Sequence, residues 1–180
     1  LAHLYGYYDA ADPQGAVGCM RLFREKLADP IGAAWDYRSA TMALPPQARQ
    51  NIYGYGTRIF TTALDLARVG WLWCNYGRWG DQQIVPEAWL RESTQVASHI
   101  KEHCPEKDWR YGHGFWSNSQ GKLWPDLPRD GFHSWGAGGH YVAVFPSLEL
   151  VIVQNPDPFG VRGGEGANPE LMDLVFAAMR

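Results

Sequence analysis

The sequence predicts an α/β protein of the segregated α+β type, in which an antiparallel sheet is flanked by helices. The first half of the chain places apolar residues at helical spacing, while the second half changes to short runs rich in aromatic and β-branched residues. The end of the chain returns to helical spacing. Because 180 residues suffice for one core and do not require two, we expect a single domain over residues 1–180.

The first predicted helix covers residues 14–29, where apolar positions recur at helical spacing among charged ones, and Pro30 is expected to end it. Residues 37–58 contain glycine, proline and many polar side chains, and we interpret them as a long loop.

Thr62 with Asp65 resembles a capping box at the start of the next helix, which continues to about Gly77. Apolar residues cover so much of this helix that we expect it to be central and buried. Pro86 occupies the first turn of another short helix, "EAWLREST".

Three strands follow, predicted at Tyr111–Ser117, His140–Pro146 and Leu148–Gln154. A short Pro-Ser connection makes the last two antiparallel neighbours. The final segment, "PELMDLVFAAMR", is predicted to be a helix that covers the sheet.

The bulk composition excludes some partners. The net charge is −3 and the pI is near 6.1, so no basic surface is available for nucleic acid. No run reaches the roughly 20 apolar residues of a membrane span. The three cysteines are widely spaced and indicate neither a disulfide framework nor a zinc site of paired cysteines.

The stretch "GFHSWGAGG" at residues 131–139 directly precedes a predicted strand. Glycines allow a ligand or a second backbone to approach closely, and bare N–H groups at a strand edge are suited to stabilising an oxyanion. A glycine-rich bend without function is the alternative interpretation.

The order of segments resembles the C-terminal half of the serine β-lactamase-like hydrolases, which include class C β-lactamases, penicillin-binding proteins and related esterases. The resemblance covers roughly residues 16–154 and is carried by "LFREKLADPIGA", "YGYGTRIFTTALDLARVGWLWCNYGRWGDQQIVPEAWLREST", "YGHGFW" and "HSWGAGGHYVAVFPSLELVIV". It implies a Ser-x-x-Lys nucleophile, a Tyr-x-Asn motif and a Lys/His-Thr/Ser-Gly motif on a strand.

The third motif fits this chain in two registers, His133-Ser134-Trp135 and Ser134-Trp135-Gly136. The resemblance implies an oxyanion-binding N–H just after the motif, at Gly136 in the first register and at Ala137 in the second. It places His133 and Ser134 near the substrate and makes Trp135 a wall of the pocket. Tyr55 is a further candidate for substrate contact.

The first two motifs precede these segments in the family, and no Tyr-x-Asn occurs in this sequence. We therefore expect the nucleophile upstream of Leu1, in an N-terminal companion segment. Two Ser-x-x-Lys matches, Ser98 to Lys101 and Ser119 to Lys122, lie after the segments they should precede. We interpret both as solvated surface pairs rather than nucleophiles.

A metal site is the third possibility, because His99, His103, Cys104 and His113 lie close together in the sequence. His99 and His103 would share a face of a helix, but without a His-Glu-x-x-His pattern we favour solvated histidines and expect no metal and no cofactor.

Taken together, the sequence predicts part of a serine hydrolase that acts on a small-molecule ester or amide through an acyl-enzyme. Neither register begins with lysine, which resembles the esterase and peptidase members and favours a carboxylesterase or amidase. The alternative is an inactive β-lactamase-like protein that binds a ligand without a nucleophile.

Overall fold

A computed structural model describes residues 16–39, 57–136, 139–155 and 169–179. The chain divides into two compact units, Leu1–Asp65 and Leu66–Arg180. No described helix has the length and apolar character needed to cross a membrane.

The first unit begins with helix α1, Ala16–Phe23, which continues through a π-helical turn, Arg24–Ala28, and a 3-10 turn, Asp29–Ile31. The helix predicted at residues 14–29 is thus present in the described part of that range. Pro30 lies inside the 3-10 turn instead of after the helix, because the first turn of a helix needs no N–H from that residue.

Two antiparallel strands follow, β1 at Trp35–Ser39 and β2 at Thr57–Thr61. The prediction of one loop over residues 37–58 was therefore wrong at both ends. Alternating aromatic and polar residues in "WDYRS" and the β-branched residues of "TRIFT" favour strands, and the glycines and prolines that suggested a loop lie between them, outside the described residues.

Helix α2 covers Ala63–Cys74. The Thr62 Oγ1 accepts a hydrogen bond from the backbone N–H of Asp65 at 3.1 Å and donates one to the Asp65 carboxylate at 2.8 Å. The predicted start signal is confirmed, because the Thr62 side chain satisfies a backbone donor that a helix N-terminus leaves unpaired.

Helix α2 is less buried than predicted. Leu72 and Cys74 are buried, but Trp71 is exposed. Gly70 brings the helix close to the sheet: a Cβ atom at this position would lie 2.5 Å from Cγ1 of Val151 and 3.0 Å from Cγ1 of Val142. One face of the helix therefore packs on the sheet, as the prediction of a central, buried helix requires, while Leu64 and Trp71 are exposed.

Small elements connect this helix to the sheet. Strands β3, Arg78–Trp79, and β4, Gln82–Gln83, are two residues long each and form a hairpin. Helix α3 covers Glu87–Ser93, and helix α4 covers Ser98–His103. The helix predicted after Pro86 is confirmed, with Pro86 at its N-cap.

The main sheet has four antiparallel strands in the order β5-β6-β7-β8, which is also their order in the chain. They are Trp116–Ser117, Phe132–Gly136, His140–Phe145 and Leu150–Gln154. The strand predicted from Tyr111 is reduced to its last two residues, because Gly114 adopts a φ of 89° that a strand cannot continue. Helix α5, Pro169–Ala178, confirms the predicted last helix.

The sheet has an apolar layer on each face. Tyr141, Ala143 and Phe145 of β7 pack with Leu127 and Phe176 on one face. The alternate residues Val142 and Val144 pack with Phe132 and Cys74 on the other. Because successive side chains of a strand point to opposite faces, β7 contributes to both layers and forms the centre of the fold.

The connection from β5 to β6 is organised by the fully buried side chain of Asn118. Its Nδ2 donates to the carbonyls of Trp124, Leu127 and Pro128 at 2.9, 3.2 and 3.0 Å, and its Oδ1 accepts from the Trp124 N–H at 2.8 Å. One amide therefore holds a loop that would otherwise leave buried carbonyls unpaired.

Candidate functional site

The end of β6 extends past its neighbour β5. Trp116 pairs with His133 and Ser117 pairs with Phe132, so β5 provides no partner for Ser134–Gly136. On the other side, β7 pairs with β6 as far as Gly136. Within the described strands, the outer edge of Ser134–Gly136 is therefore open at the glycine-rich turn that the sequence singled out.

Hydrogen bonds define which backbone groups face this edge. The Gly131 carbonyl accepts from the Asn118 N–H at 2.8 Å, so Gly131 faces the β5 side. The Gly136 carbonyl accepts from the Gly139 N–H at 3.2 Å, on the β7 side. Because N–H and C=O directions alternate along a strand, Trp135 presents its backbone groups to the open edge and Gly136 presents its own to β7.

His133 is buried within aromatic rings. Its imidazole lies parallel to Trp116, with ring centroids 6.1 Å apart, and it also contacts Trp124 and Tyr141 at 5.3 and 4.7 Å. Only 7% of the residue is exposed, and its Nδ1 is buried without a hydrogen-bond partner in the described residues. His133 thus lies in the core on the same face as Tyr141.

This environment favours the neutral imidazole. Burial among apolar rings lowers the pKa of His133 to about 4, since the charged form loses its hydration. Burial likewise raises the pKa of Tyr141 far above its ordinary value. Both groups are therefore neutral at pH 7, and neither supplies a charge to the open edge.

The residues after His133 are progressively more accessible. Ser134 is half-buried, and Trp135 is 56% exposed. Gly136 is exposed, and a Cβ atom built on it would have no atom of the described residues within 4 Å apart from its chain neighbours. The accessible group at this end of the sheet is therefore Ser134-Trp135-Gly136, while His133 is enclosed behind it.

A polar pair that the sequence did not indicate lies on the same face as Ser134. The Nδ1 of His140, at the start of β7, is 2.7 Å from Oδ1 of Asn155, the residue directly after β8. His140 is also the direct strand partner of Gly136. The available signal was a histidine and an asparagine at matching ends of two predicted antiparallel strands.

The residues of the Ser-x-x-Lys matches contact neighbouring groups or solvent. Ser119 Oγ accepts from the Val96 N–H at 3.2 Å and bonds the Ser117 hydroxyl at 3.0 Å. Lys122 Nζ is 2.6 Å from a Glu106 carboxylate oxygen. Ser98 and Lys101 both lie on the exposed surface of α4.

The described residues contain no group of three or more metal-ligating side chains. His99 and His113 have ring centroids 6.4 Å apart, while His103 is exposed and lies beside Glu102. Burial raises the pKa of the Cys74 thiol to about 11, which leaves it without thiolate character at neutral pH.

Two of the residues predicted for the site, Tyr55 and Ala137, lie outside the described residues. The other four occupy successive positions on β6 and its open end.

No model of a known protein family matches the chain, and no curated protein sequence matches it. Several solved structures are similar, and two of them illustrate the match. A candidate β-lactamase of Bacteroides dorei DSM 17855 shares 18% identity with a TM-score of 0.52, over 87% of this chain and 50% of that protein. A penicillin-binding protein homolog of Caulobacter crescentus shares 15% identity with a TM-score of 0.54, over 92% of this chain and 53% of that protein.

The chain thus spans about half the length of each of these proteins. Its helices and antiparallel sheet agree with the fold class that the sequence predicted. In fold, the chain is a β-lactamase/penicillin-binding-protein-like protein.

Proposed function

We propose that this chain forms part of a serine hydrolase, a carboxylesterase or amidase that acts on a small-molecule ester or amide through an acyl-enzyme. The observation that carries this proposal is the open edge of β6 at Ser134–Gly136, in a fold shared with a candidate β-lactamase and a penicillin-binding protein homolog. A strand edge beside a glycine turn offers backbone N–H groups to a reacting carbonyl oxygen.

The alternation of β6 supports one register of the motif. The Gly136 backbone faces β7 and pairs with His140, so its N–H is directed away from the open edge. In the register Ser134-Trp135-Gly136, the N–H that follows the motif belongs to Ala137, which lies outside the described residues. We therefore propose Ala137 as half of the oxyanion hole, with Ser134 contacting the substrate and Trp135 forming a wall of the site. Tyr55 remains a proposed contact.

His133 has a supporting role in this proposal. Enclosed by Trp116, Trp124 and Tyr141, its neutral ring fixes the position of the strand immediately before the accessible residues. The register that begins at His133 would require this ring to reach the substrate, which its burial disfavours.

We assign the nucleophile to a Ser-x-x-Lys motif in a companion segment preceding Leu1. The contacts of Lys122 and Ser119 support this assignment, because Lys122 pairs with Glu106 at 2.6 Å while the Ser119 hydroxyl bonds Ser117 and the Val96 N–H. The same observation also favours the second candidate, a ligand-binding protein of this fold without a nucleophile.

The test uses a fluorophosphonate probe, which labels activated serines, with intact mass as the readout. We expect no adduct on the 180-residue chain and one adduct on the protein expressed with its preceding coding sequence. In that longer protein, Ala137→Pro removes the proposed N–H and is expected to slow labelling by roughly 10²–10³-fold, while Ala137→Gly keeps it.

An adduct on Ser98, Ser119 or Ser134 of the 180-residue chain would overturn the assignment of the nucleophile. A folded longer protein that is not labelled would support the binding protein instead.

A further inference from the structure

The pair formed by His140 and Asn155 fixes the tautomer of an imidazole beside the proposed site. An amide oxygen only accepts hydrogen bonds, so the 2.7 Å contact between Nδ1 and Oδ1 requires the proton on Nδ1. The lone pair of Nε2 is then available as an acceptor when the ring is neutral. Within the described residues, this contact is the only side-chain hydrogen bond of His140.

Among the described residues, the space above Gly136, the strand neighbour of His140, is open. Gly136 is the strand partner of His140, and a side chain at Gly136 would point to the same face. Apart from its chain neighbours, no atom of the described residues lies within 4 Å of the position its Cβ would take. Ser134 lies on this face too, as the strand partner of Val142, diagonal to His140. A small ligand over Gly136 would therefore have the Ser134 hydroxyl on one side and the His140 imidazole on the other.

The strands beside Gly136 lack cationic side chains. Residues 132–136 and 140–154 contain no lysine or arginine. A carboxylate over Gly136 would meet no cation from these strands, whereas a ligand N–H or O–H would meet an acceptor.

We propose that His140, oriented by Asn155, accepts a hydrogen bond from an N–H or O–H of the substrate, so that the site selects neutral esters or amides with a donor group beside the reacting carbonyl. This inference rests on the proposed function, because it takes the open end of β6 as the place where substrate binds. It adds the substrate class and a residue that determines it.

Binding of two methyl esters to the 180-residue chain tests the proposal without requiring a nucleophile. N-acetylglycine methyl ester carries the amide N–H, and methyl 4-oxopentanoate replaces that N–H by CH₂ with nearly the same shape. We expect the first to bind about 3- to 10-fold more tightly, the range that one net hydrogen bond provides. In a chain labelled with ¹⁵N-histidine, the Nε2 resonance of His140 should move upfield when N-acetylglycine methyl ester is added.

Variants separate this role from a structural one. His140→Phe should reduce the ratio of the two affinities to about 1, while His140→Gln, which keeps an acceptor, should retain part of it. Gly136→Leu should abolish binding of both esters by filling the open space. Asn155→Ala should give a mixture of imidazole tautomers in the ¹⁵N spectrum.

Equal affinities for the two esters, an unchanged ratio in a folded His140→Phe chain, or a proton on Nε2 in the unliganded protein would each overturn the proposal. Selective binding without serine labelling in the longer protein would uphold it and contradict only the hydrolase function.

Discussion

The imidazole of His133 lies parallel to the indole of Trp116, with an angle of 14° between the ring planes and 6.1 Å between their centroids. The two residues are also directly paired across β5 and β6. The stacking buries the titratable imidazole of His133 in the core, directly before the part of β6 that β5 leaves unpaired. Because the imidazole can bind a proton in the unfolded chain, the stability of the fold depends on pH.

We expect the stability of the chain to fall as the pH is lowered from about 6.5 through about 4, the pKa values of His133 in the unfolded and folded chain. In this interval the unfolded chain binds a proton that the folded chain does not, so the contribution is complete above about pH 6.5 and lost below about pH 4. The full loss corresponds to about 3 kcal/mol. Urea unfolding at several pH values measures it.

His133→Phe should flatten this pH dependence and leave the free energy of unfolding at pH 8 equal or higher, because it removes an unpaired buried nitrogen. His103→Gln is the matched control, since that imidazole is exposed in the folded chain. A His133→Phe profile as steep as that of the original protein would contradict the burial of a neutral ring.

Asn118→Ala should destabilise the protein by about 2–4 kcal/mol, because it leaves several buried backbone groups of the 124–128 loop without partners. Asn118→Asp should be at least as damaging, since a carboxylate cannot donate to the three carbonyls. Denaturant unfolding gives both values. Asn75→Ala is the control, because the Asn75 side chain donates one exposed hydrogen bond, to the Trp71 carbonyl. A similar cost at both positions would refute the role of Asn118 in holding this loop.

Gly70→Ala should destabilise the protein by about 1–3 kcal/mol, since the added methyl group collides with Val151 and Val142 of the sheet. Gly136→Ala is the paired variant at an open position without a positive φ, and it should be neutral or stabilise by about 0.4–1 kcal/mol. Thermal melting of the two variants compares them directly. Equal melting temperatures would show that α2 does not press on the sheet at Gly70.

Trp135→Ala should change the free energy of unfolding by less than about 0.5 kcal/mol, because more than half of the side chain is exposed. In the longer protein it should change the relative rates at which bulky and small fluorophosphonates label the serine, as expected for a wall of the site. Unaltered selectivity between the two probes would remove Trp135 from the site. Trp89→Ala, at another exposed tryptophan, is the control.

Local signals in the sequence predicted much of the fold. Thr62 and Asp65 marked the start of α2, and Pro86 marked the start of α3, because caps depend on a few neighbouring residues. The composition of β7 and β8 identified two strands of the sheet, and their short connection set them antiparallel. These features depend on sequence neighbours and need no knowledge of distant contacts.

Long-range contacts account for the predictions that failed. Strands β1 and β2 pair across a separation that no local pattern reveals, as the partnership of Trp35 with Thr61 illustrates. The enclosure of His133 brings together Trp116, Trp124 and Tyr141 from different segments. The sequence identified the glycine-rich end of β6 as the candidate site. How deeply each side chain there is buried depends on which face of the sheet it occupies, and only the register of strand pairing defines that face.

The chain order of the main sheet has a consequence for how the protein is made. Each strand of β5-β6-β7-β8 pairs with the strand that precedes or follows it in the chain, so no pairing waits for a distant segment. Folds dominated by such near contacts form quickly, since the entropy lost on closing each loop is small. The β6-β7 hairpin can therefore pair before the rest of the chain is made, while the layer that includes Phe176 is completed only when the last helix is present.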